Sequence, residues 1–128
     1  MQRISNQEFN EKMRERTKQF ALQVIAFSDQ LPNKESARII IKQLLRSATS
    51  VAANFRAACR GRSKAEFYSK VCIVVEEADE TQFWLEILAD SKLMVNNHSD
   101  ILKLINEVSE ILAITTSIKS KINKTTKP

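Results

Sequence analysis

Apolar residues recur at steps of three and four along most of the chain, the spacing that lays them on one face of an α-helix. Phe9, Met13, Phe20, Val24, Phe27 and Leu31 follow it, with Arg16 on the same stripe, and predict a first helix over 6–30. Ser5 and Glu8 stand in Ser-x-x-Glu spacing at its start, a capping box in which each side chain satisfies a free backbone N–H. Pro32-Asn33 is expected to stop this helix and to cap the next. The second helix, over 34–60, turns Ile41, Leu44, Leu45, Ala48, Val51, Ala52, Phe55, Ala58 and Cys59 inward. Gly61 is expected to end it as a left-handed C-cap. Ser63 and Glu66 form a second capping box and open a third helix over 63–92, with Phe67, Val71, Val74, Val75, Ala78, Leu85 and Leu88 inward. A fourth helix, over 99–122, presents Ile101, Leu104, Ile105, Val108, Ile111, Leu112, Ile118 and Ile122. Residues 123–128 read as a frayed basic tail.

Helices of roughly 24 to 30 residues are about 36 to 45 Å long. Short connections force neighbours to run antiparallel. The pattern predicts an all-α fold, an antiparallel up-down-up-down four-helix bundle in which 1–128 is one domain. Helices two and three are apolar over more of their circumference than one bundle needs. The off-stripe Ile40, Phe83, Trp84 and Ile87 are expected to be exposed and to form a subunit interface in a homo-oligomer. A single thick core with a few exposed apolar residues is the plainer alternative.

Composition narrows the classes. One Gly and two Pro among 128 residues are too few for most β architectures and for glycine-rich phosphate loops. The longest apolar run, Val71–Val75, is far short of the roughly 20 residues that span a membrane. The first residues carry no apolar segment after their charge, so a cytoplasmic location without a signal peptide is expected. Cys59 and Cys72 have no C-x-x-C spacing and read as reduced core thiols.

Charge adds a layout. The chain has 20 Lys and Arg against 15 Asp and Glu. Residues 33–62 carry seven basic and one acidic side chain, and residues 63–92 three basic and seven acidic. Folded back about Gly61-Arg62, helices two and three set Arg46 level with Glu77, Lys42 near Glu80 and Arg38 near Glu86, predicting ion pairs that fix register. Arg56, Arg60, Arg62 and Lys64 have no matched acid and are the candidate phosphate-contacting patch. A solvated helix end complementing the C-terminal dipole is the plainer reading of the same charges.

Catalytic chemistry finds little support. The acidic run Glu76, Glu77, Asp79, Glu80 lies mid-helix in a bundle, as in di-iron proteins, but those need two Glu-x-x-His motifs. The chain has one histidine, His98, placed at the opposite end from Cys59 and Cys72, so neither a metal site nor a thiol–imidazole pair is expected, and no cofactor. Asn54 among apolar neighbours reads as a buried register device. Base stacking needs exposed aromatics; Phe9, Phe20, Phe27, Phe55 and Phe67 are all committed to the core, and of the remaining Tyr68, Phe83 and Trp84 the last two fit an interface better. Nucleic acid would therefore be held through phosphate and shape, with steep salt dependence.

The junction of helices two and three runs Arg46-Ser47-Ala48, Ser50-Val51-Ala52-Ala53-Asn54, Gly61-Arg62-Ser63 and Lys64-Ala65-Glu66-Phe67. It resembles the signature of the bacterial four helix bundle protein family, first recognised in intervening sequences of 23S ribosomal RNA genes. Glu76-Glu77-Ala78-Asp79-Glu80-Thr81-Gln82-Phe83-Trp84-Leu85 resembles the acidic stretch and Trp-Leu that follow. The resemblance covers about residues 10–120. It implies a homopentamer, a distant likeness to the accessory variability proteins of diversity-generating retroelements, which associate with nucleic acid and a reverse transcriptase, and no enzymatic activity. Ala52 stands where many members have Pro, and Cys59-Arg60 where many have Glu-Gly, so helix two should be straighter and the tip more basic. The expected function is a non-enzymatic oligomer that binds RNA or DNA. The alternative is an adaptor that engages another protein.

Overall fold

A computed structural model of the chain describes residues 6–93 and 98–126. Four helices follow one another: α1 (Asn6–Ser28), α2 (Glu35–Cys59), α3 (Lys64–Asp90) and α4 (His98–Thr126). They pack as an antiparallel four-helix bundle, and no strand occurs among the described residues. Each helix gives four side chains to the central core: Met13, Phe20, Val24 and Phe27 from α1; Leu44, Ala48, Val51 and Phe55 from α2; Val74, Ala78, Leu85 and Leu88 from α3; Ile101, Leu104, Val108 and Ile111 from α4. Burying this many aliphatic and aromatic side chains, at about 1.5–3 kcal/mol each for the larger ones, is the main force holding the helices together.

The helix ends differ from the sequence reading in instructive ways. α1 stops at Ser28 because Leu31 precedes Pro32, whose ring disfavours helical backbone before it. Gln30 N–H donates to the Phe27 carbonyl at 3.0 Å and tightens the last turn. Asn33 does not cap α2. The N-cap is Lys34, without a side-chain cap bond, and the Asn33 Oδ1 instead accepts from Arg38 Nη1 at 2.8 Å. Ser63 does cap α3, accepting from Glu66 N–H at 3.1 Å, while the Glu66 carboxylate reaches past it to Arg62 N–H at 2.6 Å. α4 continues to Thr126, past the expected boundary at 122, because nothing in 123–126 breaks a helix. The Ser5–Glu8 box falls partly outside the described residues.

Gly61 is not left-handed; among the described residues no glycine has positive φ. α2 ends through Arg60 at φ −98°, ψ 6°, with Arg60 N–H on Ala57 O at 3.1 Å and Gly61 N–H on Ala58 O at 3.0 Å. Gly61 is small for a different reason. A Cβ there would meet Ala58 O at 3.1 Å and Phe67 N at 3.2 Å, so the glycine lets α3 begin directly against the end of α2.

Two polar contacts set the register of the core and its rim. Thr81 Oγ1 and Ser47 Oγ, both buried, hydrogen-bond at 2.9 Å between α3 and α2. Arg16 on α1 forks onto Glu107 of α4, Nε at 2.8 Å and Nη2 at 2.7 Å, and Nη2 also reaches Glu110 at 2.6 Å. α1 and α4 make the thinnest of the helix–helix seams, and this clamp ties them together. Asn54 is half-buried, but it donates only to Ser50 O and Ser50 Oγ on its own helix, so it sets no cross-helix register.

Candidate nucleic-acid interface

The α2–α3 tip is built by the short link 60–63. Arg56 lies in the last turn of α2, Arg60 is its C-cap, Arg62 lies in the link and Lys64 begins α3. All four are exposed. Three cations at the negative end of α2 are favourably placed against its dipole, and they also project a local excess of positive charge. An open concavity of about 530 Å³ is sunk between the two helices here, lined by Ala57, Arg60, Gly61, Arg62, Glu66 and Lys70 among others. Arg60 and Arg62 line it; Arg56 stands one turn before Arg60, and Lys64 two residues after Arg62. Lys70 belongs to the same wall and was missed by the sequence reading. Its signal was the helical period, since it stands one turn beyond Glu66. Glu66 is the one carboxylate in the concavity, and its bond to Arg62 N–H ties it to the backbone. Among the described residues no carboxylate lies within ion-pair distance of Arg56, Arg60, Arg62 or Lys64; the ion pairs there belong to Arg16 and Arg46.

Arg46 Nη1 lies 3.0 Å from Glu77 Oε2, and Arg46 Nη2 bonds Glu80. Glu80 is therefore taken by Arg46, not by the expected Lys42. The planar guanidinium reaches two carboxylates one helical turn apart, which a single ammonium does not do. Arg38 likewise bonds Asn33 rather than Glu86, and Glu86 accepts from Gln82 at 3.0 Å.

The expected interface residues divide. Phe83 and Ile87 are exposed, at 50% and 36%. Ile40 and Trp84 are not: both are half-buried and pack against the core. The most exposed large apolar residue is Ile39 at 58%, one position away from the one expected. A step of one residue rotates a side chain by about 100°, and Ala37 and Leu44 fix which side of α2 is inward. Phe83 and Trp84 meet edge to face with centroids 5.0 Å apart, and the buried Trp84 indole N–H has no acceptor among the described residues.

Cys59 and Cys72 are both half-buried rather than fully in the core. Cys59 is half-buried against Asn10 O at 3.7 Å, and burial pushes its pKa up. Glu11 adds to the rise and Arg14 opposes it. His98 opens α4, at the other end of the bundle. Among the described residues no three His, Cys, Asp or Glu side chains come together as a metal-ligand set, and no helix is long and apolar enough to cross a membrane.

A family model for the 23S rRNA-intervening sequence protein matches residues 9–123. Among solved structures, the chain is similar to a protein of unknown function from the S23 ribosomal protein family of Bacteroides thetaiotaomicron. The two share 30% identity with a TM-score of 0.77, over 87% of this chain and 97% of the other. Comparison with curated proteins finds no match.

Proposed function

The chain belongs to the family of 23S rRNA-intervening sequence proteins, and on that premise we propose that it is a non-enzymatic binding protein whose α2–α3 tip holds the phosphates of structured RNA or DNA. The observation that carries this reading is an open concavity lined by Arg60 and Arg62, with Arg56 and Lys64 beside them in the chain, all four exposed and without ion-pair partners among the described residues. Arginine forks suit phosphate oxygens, and each phosphate neutralised releases counterions. The exposed aromatic Phe83 lies toward the other end of α3, and the aromatics at the tip, Phe67 and Tyr68, are half-buried, so the tip's four cations are more exposed than its aromatics.

The same reading has copies of the chain associating through Ile39, Phe83 and Ile87, which one bundle leaves in water. Assembly multiplies the number of basic tips on one particle and so raises avidity. An adaptor that uses this apolar patch for a different protein is the second reading, and the exposure of Phe83 is what favours it.

The test is filter binding of mixed RNA at low salt by the wild-type chain and by Arg56→Glu/Arg60→Glu/Arg62→Glu. Retention by the first and loss by the second is expected. No retention by the wild type, or equal retention by both, overturns the proposal.

A further inference from the structure

The tip is one end of a longer feature. Along α2 and its cap, Arg38, Lys42, Arg46, Thr49, Ala53, Arg56 and Arg60 follow each other at steps of three and four, so they share one face. Every one of them is exposed. From Arg38 to Arg60 the row is about 33 Å long at 1.5 Å per residue. Glu35 is the only acid between 33 and 62, and it stands before the row begins. α2 contains neither Gly nor Pro, so the row is carried on one unbroken helix.

Its charges fall into two groups. Arg38 and Lys42 form one, and Arg56 and Arg60, continued by Arg62 and Lys64, form the other. Arg46 between them is neutralised by Glu77 and Glu80, and Thr49 and Ala53 are small. Among the described residues the Arg38 side chain bonds the neutral Asn33 and pairs with no carboxylate. The neighbouring outer face of α3 carries exposed Glu76, Asp79, Glu86 and Asp90, which repel a polyanion and confine it to the α2 side. No aromatic side chain stands on the row; the one aromatic of α2, Phe55, is wholly buried.

We propose that the outer face of α2 is a track for double-helical nucleic acid, held by Arg38 and Lys42 at one end and by Arg56, Arg60 and Arg62 at the other. This rests on the reading of the tip as a phosphate-binding site and extends it. A rigid, straight row matches a rigid, straight ligand. At about 3.4 Å per phosphate along one strand, 33 Å corresponds to roughly ten base pairs. A single strand is flexible and gains most from aromatic stacking, which this face does not offer. The track reads charge and shape, so it carries no sequence preference.

The experiment is fluorescence anisotropy across a salt series, with three probes: an RNA duplex of about two helical turns, roughly 20 base pairs, the DNA duplex of the same sequence, and one of its single strands. The wild-type chain is compared with Arg38→Glu/Lys42→Glu, with the milder Arg38→Ala/Lys42→Ala, with Arg60→Glu/Arg62→Glu, and with Lys12→Glu/Lys103→Glu, exposed sites off the row that make the same change in net charge as the other glutamate pairs. Helical circular dichroism checks that each variant is folded. The track predicts that duplexes bind more tightly than the single strand. It also predicts that Arg38→Glu/Lys42→Glu weakens duplex binding by at least about tenfold at low salt and flattens the plot of log K against log salt by about two. The alanine pair moves the same way by less, and the Lys12/Lys103 pair leaves the slope unchanged. RNA preferred over DNA, or the reverse, identifies which duplex the track fits. If Arg60→Glu/Arg62→Glu abolishes binding and Arg38→Glu/Lys42→Glu does not alter it, the tip stands and the track is overturned. If the Lys12/Lys103 pair weakens binding equally, diffuse net charge acts and the track is overturned. If neither row variant matters, both the track and the tip reading fall.

Discussion

Arg16 is the most informative side chain to remove. It spans the thin α1–α4 seam with three hydrogen bonds of 2.6–2.8 Å to Glu107 and Glu110. Arg16→Met keeps most of the aliphatic stem and deletes the charge. One third of the Arg16 side chain is exposed, as are 27% and 56% of its partners, so solvent screens the pairs. Exposed ion pairs contribute about 0.2–1 kcal/mol each, and bidentate geometry puts the Glu107 pair at the upper end of that range. Removal also leaves two carboxylates facing each other at i, i+3, which adds a few tenths of a kcal/mol of repulsion. The expected cost is about 2 kcal/mol, a fall in melting temperature of roughly 8 °C for a chain of this size. Urea denaturation at fixed protein concentration, run as a double-mutant cycle with Glu107→Gln, isolates the pair. A coupling of about 1 kcal/mol or more, reduced in high salt, is expected. A coupling within about 0.3 kcal/mol of zero refutes the clamp.

Gly61→Ala places a methyl against Ala58 O and Phe67 N, both backbone atoms; we expect a net loss of about 1 kcal/mol by thermal melting, overpacking outweighing the entropy gained in the unfolded chain, and a more stable variant would contradict the close approach. Burial raises the Cys59 thiol pKa, so its alkylation should reach half-maximum at a higher pH than that of a free thiol, and an ordinary profile would refute the burial. The folded chain holds this proton more tightly than the unfolded one, so the associated stability is complete below the ordinary thiol range and is lost as pH rises through the raised value. Phe83→Glu/Ile87→Glu puts charge on the exposed apolar patch; light scattering should show smaller particles than the wild type, and an unchanged mass would remove this patch from self-association.

The sequence made visible whatever is local. Apolar spacing gave four helices and nearly all of the core, because a helix buries one stripe and the stripe repeats. The α2–α3 register was legible for a similar reason: a short turn fixes which residues are level, and Arg46 does meet Glu77. Level is not orientation, however, and Glu80 goes to the forked Arg46 rather than to Lys42. The Arg16 clamp was hidden because no turn joins α1 to α4, so nothing in the order of residues sets Glu107 beside Arg16. The Ser47–Thr81 bond was hidden because small hydroxyls look alike in core and on surface. Gly61 was legible as a helix end, but its reason was not, since a glycine used for space and one used for left-handed backbone are the same letter. At the tip, Arg56, Arg60, Arg62 and Lys64 were legible as uncompensated charge; the concavity and Lys70 required the two helices to be brought side by side.

Phosphate charge is the proposed ligand of α2 and its tip. The salt dependence of binding to a duplex measures it most directly. We expect a linear fall of log K with log salt whose slope corresponds to about four to six phosphates and which shrinks by about three when Arg56, Arg60 and Arg62 are reversed. A flat dependence, or a slope the three reversals leave untouched, would contradict it.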